Sequence, residues 1–267
     1  MSRGAVWTLP LAGVEDVAAG TYWLRFERPA AVRCDPGHFF MLSAAAQGGG
    51  PFLGRPLSIG DVRDGALWFL VRALGRATAW LRTLPVGTPL RLVGPLGRPF
   101  DPPSRSVHRM VAGGIGLAPF FYLARRLREA QPGSRIELFY GERSAEAHAP
   151  LAAWEPALFD RIERSTDDGS LGVAGTVVDV LADRVAARGS TDDAVAWYGC
   201  GPEPMLRALA RRLEAAGVEG AQFSLEERMA CGFGVCQACI VPNRGGRPRY
   251  RLLCVDGPVM DPRQVAW

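Results

Sequence analysis

The sequence predicts a multidomain protein with an antiparallel β-barrel, an α/β domain with a parallel sheet, and a small domain built around cysteines. Three observations support this prediction. Short apolar runs cut by turn residues continue to about Phe100, strands then alternate with amphipathic helices, and four of the six cysteines lie between Cys231 and Cys254. The expected domains are residues 1–102, 103–220 and 221–267.

Composition excludes several classes of protein. The 267 residues are 48% hydrophobic and 22% charged, as in ordinary globular proteins. No run approaches the roughly 18 apolar residues of a membrane helix, and residues 1–20 lack the pattern of a secretory signal. The net charge is +4, and the basic residues, all arginines, are scattered among acidic ones, which argues against nucleic acid as the main partner. Clustered cysteines without a signal predict metal binding in a reducing compartment, so we expect a cytoplasmic protein.

The first domain is expected to consist of short strands. Four strands are predicted, at Thr21–Phe26, His38–Leu42, Ala66–Val71 and Leu90–Val93. Residues Gln47 to Pro51 form a glycine-rich loop between two of them. Cys34 lies in this strand-rich region and is expected to be a buried, unreactive thiol.

The second domain is expected to begin after a linker at Asp101–Ser104. A strand at His108–Ala112, a glycine turn and a helix at Pro119–Ala130 open a βαβ unit. The pattern then repeats with a strand at 135–140, a helix at 177–187, a strand at 194–198 and a helix at 203–216. Strands alternating with helices favour a parallel sheet that is covered on both faces.

The cysteines of the third domain have the spacing of an iron-sulfur site. Cys231, Cys236 and Cys239 form a C-x4-C-x2-C motif, and Cys254 follows at a distance, as in plant-type [2Fe-2S] proteins. The glycines at 232 and 234 permit a loop that wraps a cluster and directs N–H groups at sulfur. A zinc ribbon, which usually has two close cysteine pairs, and four unrelated thiols are the alternatives.

Two glycine turns of the second domain suggest a nucleotide site. Gly113, Gly114 and Gly116 lie between a strand and a helix, where backbone N–H groups bind pyrophosphate. Gly201 and Pro202 lie in a second turn at the end of another strand, the edge at which open α/β sheets bind ligands. The first turn lacks the last glycine of G-x-G-x-x-G, so a simple tight turn is the alternative reading for it.

Electron counting adds a cofactor. Nicotinamide exchanges two electrons as hydride and a [2Fe-2S] cluster exchanges one, so a chain with both sites needs a flavin. The candidate flavin segment in the barrel consists of Arg55, Pro56, Leu57 and Ser58, which supply a phosphate-binding cation, a fixed turn and a hydroxyl for the flavin ring.

With these motifs in view, nearly the whole chain resembles the ferredoxin-NADP reductase superfamily. More narrowly, the chain looks like the electron-transfer subunits of the NAD-linked bacterial dihydroorotate dehydrogenase B. The resemblance rests on R-P-L-S at 55–58, G-G-I-G-L-A-P at 113–119, F-Y-G-E-R at 139–143, T-D-D-G-S at 166–170, Y-G-C-G-P-E-P-M at 198–205 and E-R-M-A-C-G-F-G-V-C-Q-A-C at 227–239. The ending C-V-D-G-P-V at 254–259 also matches.

The resemblance implies further site residues. FAD would bind at 55–58 and be lined by Leu70, Val71 and Arg72, with Gly75, Ala77 and Thr78 near its pyrophosphate. The family usually has Gly-Thr where this chain has Ala77-Thr78. NAD would be surrounded by Gly113, Gly114, Gly116, Glu142, Asp168, Gly201 and Pro202. Cys200 would lie near the nicotinamide, and a buried structural thiol is the alternative for it.

The resemblance also implies a function. Electrons would pass from dihydroorotate to FMN in a separate catalytic subunit, then through the [2Fe-2S] cluster and FAD of this chain to NAD, in pyrimidine biosynthesis. We expect a heterotetramer, with Phe233 and Val235 either at its interface or packed within their own domain. We expect no catalytic base in this chain, so His38, His108 and His148 should be ordinary surface or core residues. The alternatives are a reductase subunit of a sulfhydrogenase or of a ferredoxin-dependent complex, and, in another class, a structural zinc module.

Overall fold

The computed structural model describes residues 4–46, 50–102, 105–151, 157–182, 185 and 195–267. Parts of four sequence predictions lie outside these residues: most of the loop at Gln47–Pro51, the end of the linker at Pro103–Ser104, the end of the helix predicted to reach Ala187, and Ala194 at the start of a predicted strand. Within these described ranges, none of the helices combines the length and the apolar composition of a membrane-spanning segment.

The first part of the chain forms an antiparallel sheet of seven strands. These are β1 (Ala5–Ala18), β2 (Thr21–Glu27), β3 (Phe39–Ala44), β4 (Arg55–Ser58), β5 (Asp61–Arg63), β6 (Ala66–Arg72) and β7 (Pro89–Leu96). Their order is β4-β3-β7-β1-β2-β6-β5. The long β1 joins two halves, because its start pairs with β7 and its later residues pair with β2. The antiparallel domain is therefore present, with β2, β3, β6 and β7 where the sequence predicts strands.

The two edge strands of this sheet are neighbours in sequence. Only Ile59 and Gly60 separate β4 from β5. The N–H of Ile59 donates to the His38 carbonyl at 3.0 Å, and that of Gly60 donates to the Trp68 carbonyl at 2.8 Å. Strands β4 and β5 are not paired with each other, but the two residues between them connect the two edges of the sheet. The sheet thus curls around a buried apolar core. After β6 comes the short helix α1 (Arg76–Arg82).

The second part of the chain forms a mainly parallel sheet. Its strands are β8 (Val107–Gly113), β9 (Arg135–Glu142), β10 (Arg161–Thr166), β11 (Val173–Ala174), β12 (Val195–Cys200) and β13 (Gln222–Ser224), with β16 (Val259–Met260) antiparallel at one edge. The order is β11-β10-β9-β8-β12-β13-β16. Around it lie α2 (Ala118–Ala130), α3 (Val177–Val180) and α4 (Glu203–Ala215). The predicted alternation of strands and helices is confirmed.

Helix α2 shows why the sequence pattern works here. Phe120, Leu123, Ala124 and Leu127 recur at helical spacing and are all buried. Pro119 occupies the first turn, where a missing N–H costs nothing. One face of α2 therefore packs on the sheet, and the carboxyl ends of β8 and β12 are brought together beside its first residues.

The last part of the chain is anchored to the second sheet. It contains a hairpin of β14 (Ile240–Pro242) and β15 (Tyr250–Leu252), followed by the single-turn helix α5 (Leu253–Asp256). Strand β16 then pairs with β13 through Phe223–Met260 and Ser224–Val259. The residues expected to form a third domain thus contribute two strands to the parallel sheet, which holds the cysteine segment close to both sheets.

Candidate functional site

A cavity of about 200 Å³ lies where the three parts of the chain meet. From the antiparallel sheet and the residues around α1, it is lined by Phe39, Pro56, Leu57, Ser58, Leu70, Val71, Arg72, Leu74 and Thr78. From the glycine turn and the last part of the chain, it is lined by Ile115, Ala118, Pro119, Leu225, Glu226, Glu227, Met229 and Pro258. Seven of the ten residues predicted for FAD therefore face one space.

The other three predicted FAD residues do not line the cavity. Arg55 Nη1 donates to the carbonyl oxygens of Leu53 and Gly54, at 3.0 and 3.1 Å. A Cβ on Gly75 would meet nothing within 4 Å, whereas the methyl group of Ala77 is 4% exposed and lies in the core. Because the Ala77 side chain points inward, its methyl group leaves the cavity side of the turn free, although the family usually has glycine at this position.

Thr78 fixes the turn before α1. Its hydroxyl accepts from the N–H of Leu74 at 3.1 Å and from that of Gly75 at 3.2 Å. Its carbonyl accepts from the hydroxyl of the buried Tyr22. These bonds use backbone groups that a helix start would otherwise leave without partners, so they hold the turn rigidly beside the cavity.

Arg72, which lines this cavity, connects the two sheets through an ion pair with Glu142. Arg72 Nη1 donates to Glu142 Oε2 at 3.1 Å, and a second, shorter bond joins Nη2 to Oε1. Nε of Arg72 donates to the Thr21 hydroxyl at 3.1 Å, and Nη2 also donates to the Ala147 carbonyl at 3.2 Å. The family resemblance implies that Arg72 lies at FAD and Glu142 at NAD; the structure brings them together as a bidentate ion pair between the sheets.

Tyr140 adds a further hydrogen bond to the carboxylate of this ion pair. Its hydroxyl donates to Glu142 Oε1 at 2.7 Å, and burial, with the neighbouring carboxylate, raises the pKa of Tyr140, so the phenol stays protonated. The ring of His148 lies edge-on to Tyr140, with centroids 4.2 Å apart. Glu142 is 7% exposed and has three donors on its carboxylate, so it acts here mainly as a structural anion.

The two predicted glycine turns pack against each other. A Cβ on Gly113 would lie 2.4 Å from the Met205 sulfur, and one on Gly116 would lie 2.2 Å from the Cys200 carbonyl oxygen. Gly114 has a φ of +57°, which glycine adopts most readily. The glycines are therefore explained first by contact between the turns at the ends of β8 and β12, and this contact forms the edge where a dinucleotide is expected.

Two more residues predicted to be near NAD lie at or beyond this edge. Cys200 is 1% exposed, and burial raises the pKa of its thiol well above the usual value, so it is neutral at physiological pH. Asp168 is exposed in the turn after β10, and its carboxylate accepts from the N–H and hydroxyl of Ser170, which lowers the pKa of Asp168. Of the two, only Asp168 offers an ionised side chain to a ligand in solution.

The cysteine loop has the backbone geometry that its glycines suggest. Gly232 and Gly234 have φ values of +83° and +86°, as expected, and Gln237 also has a positive φ of +56°, which the sequence does not indicate. Cys231 Sγ accepts from the N–H groups of Phe233 and Cys236, both at 3.5 Å. Burial raises the pKa of Cys231, but these backbone donors outweigh it and lower the pKa to about 6.

The four cysteines come together in two pairs. Cys231 lies beside Cys236 at the surface, while Cys239 and Cys254 are buried with their sulfur atoms 3.2 Å apart. Among the described residues, no three His, Cys, Asp or Glu side chains are grouped to hold a single metal ion. Two thiol pairs fit the two irons of a [2Fe-2S] cluster, each of which takes two thiolates, better than one tetrahedral zinc.

The histidines lie elsewhere in the described structure. His38 accepts from the Asp35 N–H, His108 lies between the Tyr198 hydroxyl and the Gln131 amide, and His148 packs on Tyr140. All three are buried, and burial lowers the pKa of each. None of them lines the cavity.

Comparison with known proteins identifies the family. Residues 226–266 match the model of the iron-sulfur cluster binding domain of dihydroorotate dehydrogenase B, and residues 110–211 match the oxidoreductase NAD-binding domain. The electron transfer subunit of dihydroorotate dehydrogenase B (NAD(+)) from Bacillus caldolyticus is 37% identical over 235 residues, which are 86% of each chain. That from Desulforamulus reducens is 33% identical over 270 residues, 98% of each chain. This chain belongs to the dihydroorotate dehydrogenase B electron transfer subunit family.

Solved structures agree with the fold of this dihydroorotate dehydrogenase B family member. An NADH-dependent reduced ferredoxin-NADP oxidoreductase has a TM-score of 0.82 and 25% identity, covering 97% of this chain and 90% of that one. A ferredoxin NADP+ reductase from Neisseria gonorrhoeae has a TM-score of 0.66 at 18% identity, covering 81% and 93%. The ferredoxin-reductase-like fold predicted from the motifs is thus confirmed.

The cavity of this family member includes residues that the motif analysis does not assign to any ligand. Leu225, Glu226, Glu227 and Met229 lie just before the first cysteine, and Pro258 lies just after the last. The one feature of the sequence that could have predicted a role for these residues is their position beside the cysteine motif. They reach the cavity because β13 and β16 pair, which brings both ends of the cysteine segment to the same edge of the sheet.

We expect the Glu142→Gln substitution to destabilise this family member. The change removes the carboxylate that neutralises the partly buried Arg72, and loss of one partner of such a pair costs about 3 kcal/mol in the free energy of unfolding. Glu146, which is exposed nearby, supplies the matched control, and Glu146→Gln should change stability by less than about 0.5 kcal/mol. Chemical denaturation measures both; equal values for the two variants would contradict a role for the ion pair in joining the sheets.

Proposed function

We propose that the chain carries electrons between a separate catalytic subunit of dihydroorotate dehydrogenase B and NAD+, as an oxidoreductase subunit with FAD and a [2Fe-2S] cluster. The observation that carries this proposal is the position of the cysteine segment. Met229 lines the cavity two residues before Cys231, and Pro258 lines it four residues after Cys254. A flavin in this cavity would therefore lie between the four thiols and the glycine turns.

The residues of the chain have separate tasks in this proposal. Cys231, Cys236, Cys239 and Cys254 would hold the cluster. Ser58 and the apolar Leu57 and Leu70 would bind and orient the flavin ring. Bound FAD would supply the exchange between hydride and single electrons that links the nicotinamide to the cluster.

The nicotinamide side is assigned to the C-terminal edge of the parallel sheet. Gly114, Gly116, Gly201 and Pro202 would receive the dinucleotide at the contact between the two turns, and Asp168 would bind its ribose by accepting a hydrogen bond. Cys200 has a neutral thiol in this edge and would help to position the nicotinamide. Glu142 is proposed to act through Arg72 and not as a ligand of NAD.

The partner is proposed to contain FMN and to form a heterotetramer with this chain. In this chain, residues 1–102, 103–220 and 221–267 are proposed to be the FAD, NAD and cluster domains. A reducing compartment such as the cytoplasm suits four thiols that must stay free for iron. The ferredoxin-linked alternative is favoured by one observation, the high structural similarity to a ferredoxin-NADP oxidoreductase.

The test uses protein purified without air. Its visible spectrum and its iron, sulfide and flavin contents are measured first, and the chain is then mixed with a dihydroorotate dehydrogenase B catalytic subunit, dihydroorotate and NAD+. We expect NADH to form only when both subunits are present. A chain that contains both cofactors but accepts electrons only from reduced ferredoxin would support the alternative, and a chain with neither iron nor flavin would contradict both.

We expect Arg55→Ala to weaken FAD binding and to leave the cluster in place. Within the described part of the chain, the guanidinium of Arg55 donates to two loop carbonyls and to no carboxylate, so it can turn to a phosphate. A charge-assisted bond of this kind contributes about 1.5–3 kcal/mol. The affinity for FAD should fall by about tenfold or more, as measured by flavin fluorescence during titration of the apoprotein. Arg33→Ala, at an exposed arginine in another loop, is the control; equal losses in both variants would remove Arg55 from the site.

A further inference from the structure

The hairpin that follows the cysteine loop has an unusual charge. Residues 228–255 contain five arginines and no aspartate or glutamate, and four of these arginines lie between β14 and β15 or on β15: Arg244, Arg247, Arg249 and Arg251. We call residues 240–252 the arginine hairpin. The whole chain has a net charge of only +4, so this hairpin carries as much positive charge as the entire protein has in excess.

Two of these arginines have partners within the chain. Arg244 forms an ion pair with Glu214 of α4 at 2.7 Å, and Arg251 Nε donates to the Asn243 side chain at 3.3 Å. Arg249 lies over the ring of Tyr250, 5.4 Å from its centre. Among the described residues, no carboxylate forms an ion pair with Arg247 or Arg249. These two exposed guanidinium groups are therefore available to a partner.

The arginine hairpin is continuous with the cysteine loop. A Cβ on Gly234 would lie 2.8 Å from the Val255 side chain and 3.8 Å from that of Leu252, so the loop packs on the end of β15. The N–H of Leu253 donates to the Cys239 carbonyl at 2.9 Å. On the loop, Phe233 and Val235 are 58% and 73% exposed. Apolar side chains beside the exposed Cys236 thus adjoin a positively charged edge.

This arrangement has the anatomy of a protein interface. Interfaces bury apolar residues at their centre and place charged residues at the rim, where opposite charges raise the rate of association and select the partner. The surface ion pair between Arg244 and Glu214 ties the start of the hairpin turn to α4. Arg247 and Arg249 are exposed and form no ion pair among the described residues.

We propose that the arginine hairpin is the docking surface for an acidic patch on the electron-donating catalytic subunit. Arg247 and Arg249 pair with carboxylates of the partner, and Phe233 and Val235 fill the apolar centre over the cysteine loop. This inference rests on the proposed function, because it assumes a protein that delivers electrons to the cysteine segment. It adds the chemistry of that protein's surface and the two side chains that recognise it.

The test compares two double variants with the same net charge. Arg247→Glu with Arg249→Glu reverses the hairpin, whereas Arg91→Glu with Arg211→Glu reverses two exposed arginines on β7 and α4. Each full-length chain, loaded with FAD and iron, is titrated with the catalytic subunit at low and at moderate salt. We expect the Kd of the hairpin variant to rise by about tenfold at low salt and to become less dependent on salt, and that of the control to stay within about twofold.

Two further measurements separate the possible failures. NADH-dependent reduction of ferricyanide, which needs no partner, should be unchanged in both variants. A wild-type chain that holds both cofactors but never binds the catalytic subunit would contradict the proposed function itself. An unchanged Kd in the hairpin variant, or equal weakening in the two variants, would overturn the docking proposal. A lower reduction potential of the cluster with an unchanged Kd would instead assign the arginines to the cluster, which also overturns it.

Discussion

The Cys236→Ser variant is expected to lose the iron-sulfur cluster, keep FAD and stop transferring electrons from the catalytic subunit. Cys236 is exposed and pairs with Cys231, so its replacement leaves the packing of the chain intact. The serine hydroxyl stays protonated at neutral pH and is a harder, weaker ligand for iron than a thiolate. We expect the iron and sulfide contents to fall by at least about tenfold.

The control for this change is Cys34→Ser. Cys34 lies between β2 and β3, where it is 9% exposed and packs in the core of the first sheet. Burial raises the pKa of its thiol to about 11, so it remains a neutral core group. That variant should retain iron, sulfide and flavin. NADH should still reduce the flavin in both variants, whereas dihydroorotate-dependent formation of NADH should disappear only in Cys236→Ser. Normal iron content in Cys236→Ser would remove this cysteine from the ligand set.

The sequence alone predicts the parts of the site that are local. The spacing of the cysteines and the positive φ values at Gly232 and Gly234 follow from a short segment, because a tight loop needs glycine wherever it turns. The glycine turns at 113–116 and 199–202 follow from their position between strands and helices. Helix α2 follows from its apolar periodicity, since burial of one face decides where such a segment packs.

The rest depends on contacts between residues that are distant in sequence. The family resemblance assigns Arg72 and Glu142 separately to two cofactors. Only the fold shows that these two residues, 70 apart in sequence, form one ion pair. Strand β10 (R-I-E-R-S-T) has a single apolar residue and gives no apolar run, yet it forms because β9 offers a parallel edge along its whole length. Glu226 and Pro258 reach the cavity only because β16 returns to β13.

The glycines of the first turn show how a local motif can have a different cause from the one it suggests. Their sequence context indicates phosphate binding, but the absence of a side chain at Gly113 and Gly116 is required by the second turn. These two explanations are compatible, because a ligand edge made of two turns forms only if the turns are in contact. A substitution at Gly116 therefore tests the packing on which the ligand edge depends.

Gly116→Ala is expected to separate the two turns and to destabilise the parallel sheet domain. The added Cβ would lie 2.2 Å from the Cys200 carbonyl oxygen and 2.4 Å from its carbon, and neither backbone atom can rotate away as a side chain can. Overpacking of this kind costs about 3 kcal/mol in the free energy of unfolding. The separated turns should also bind NADH more weakly, and we expect the KM for NADH in ferricyanide reduction to rise by about tenfold.

The matched substitution is Gly133→Ala, in the turn between α2 and β9. A Cβ there would meet nothing within 4 Å, and its φ lies outside the left-handed region, so alanine fits without strain. Such a change restricts the unfolded chain and should raise stability by up to about 1 kcal/mol, with no change in the KM for NADH. If Gly116→Ala behaved like Gly133→Ala in denaturation and in KM, the contact between the turns would not hold this edge together. A higher KM with unchanged stability would mean that Gly116 acts on the dinucleotide directly.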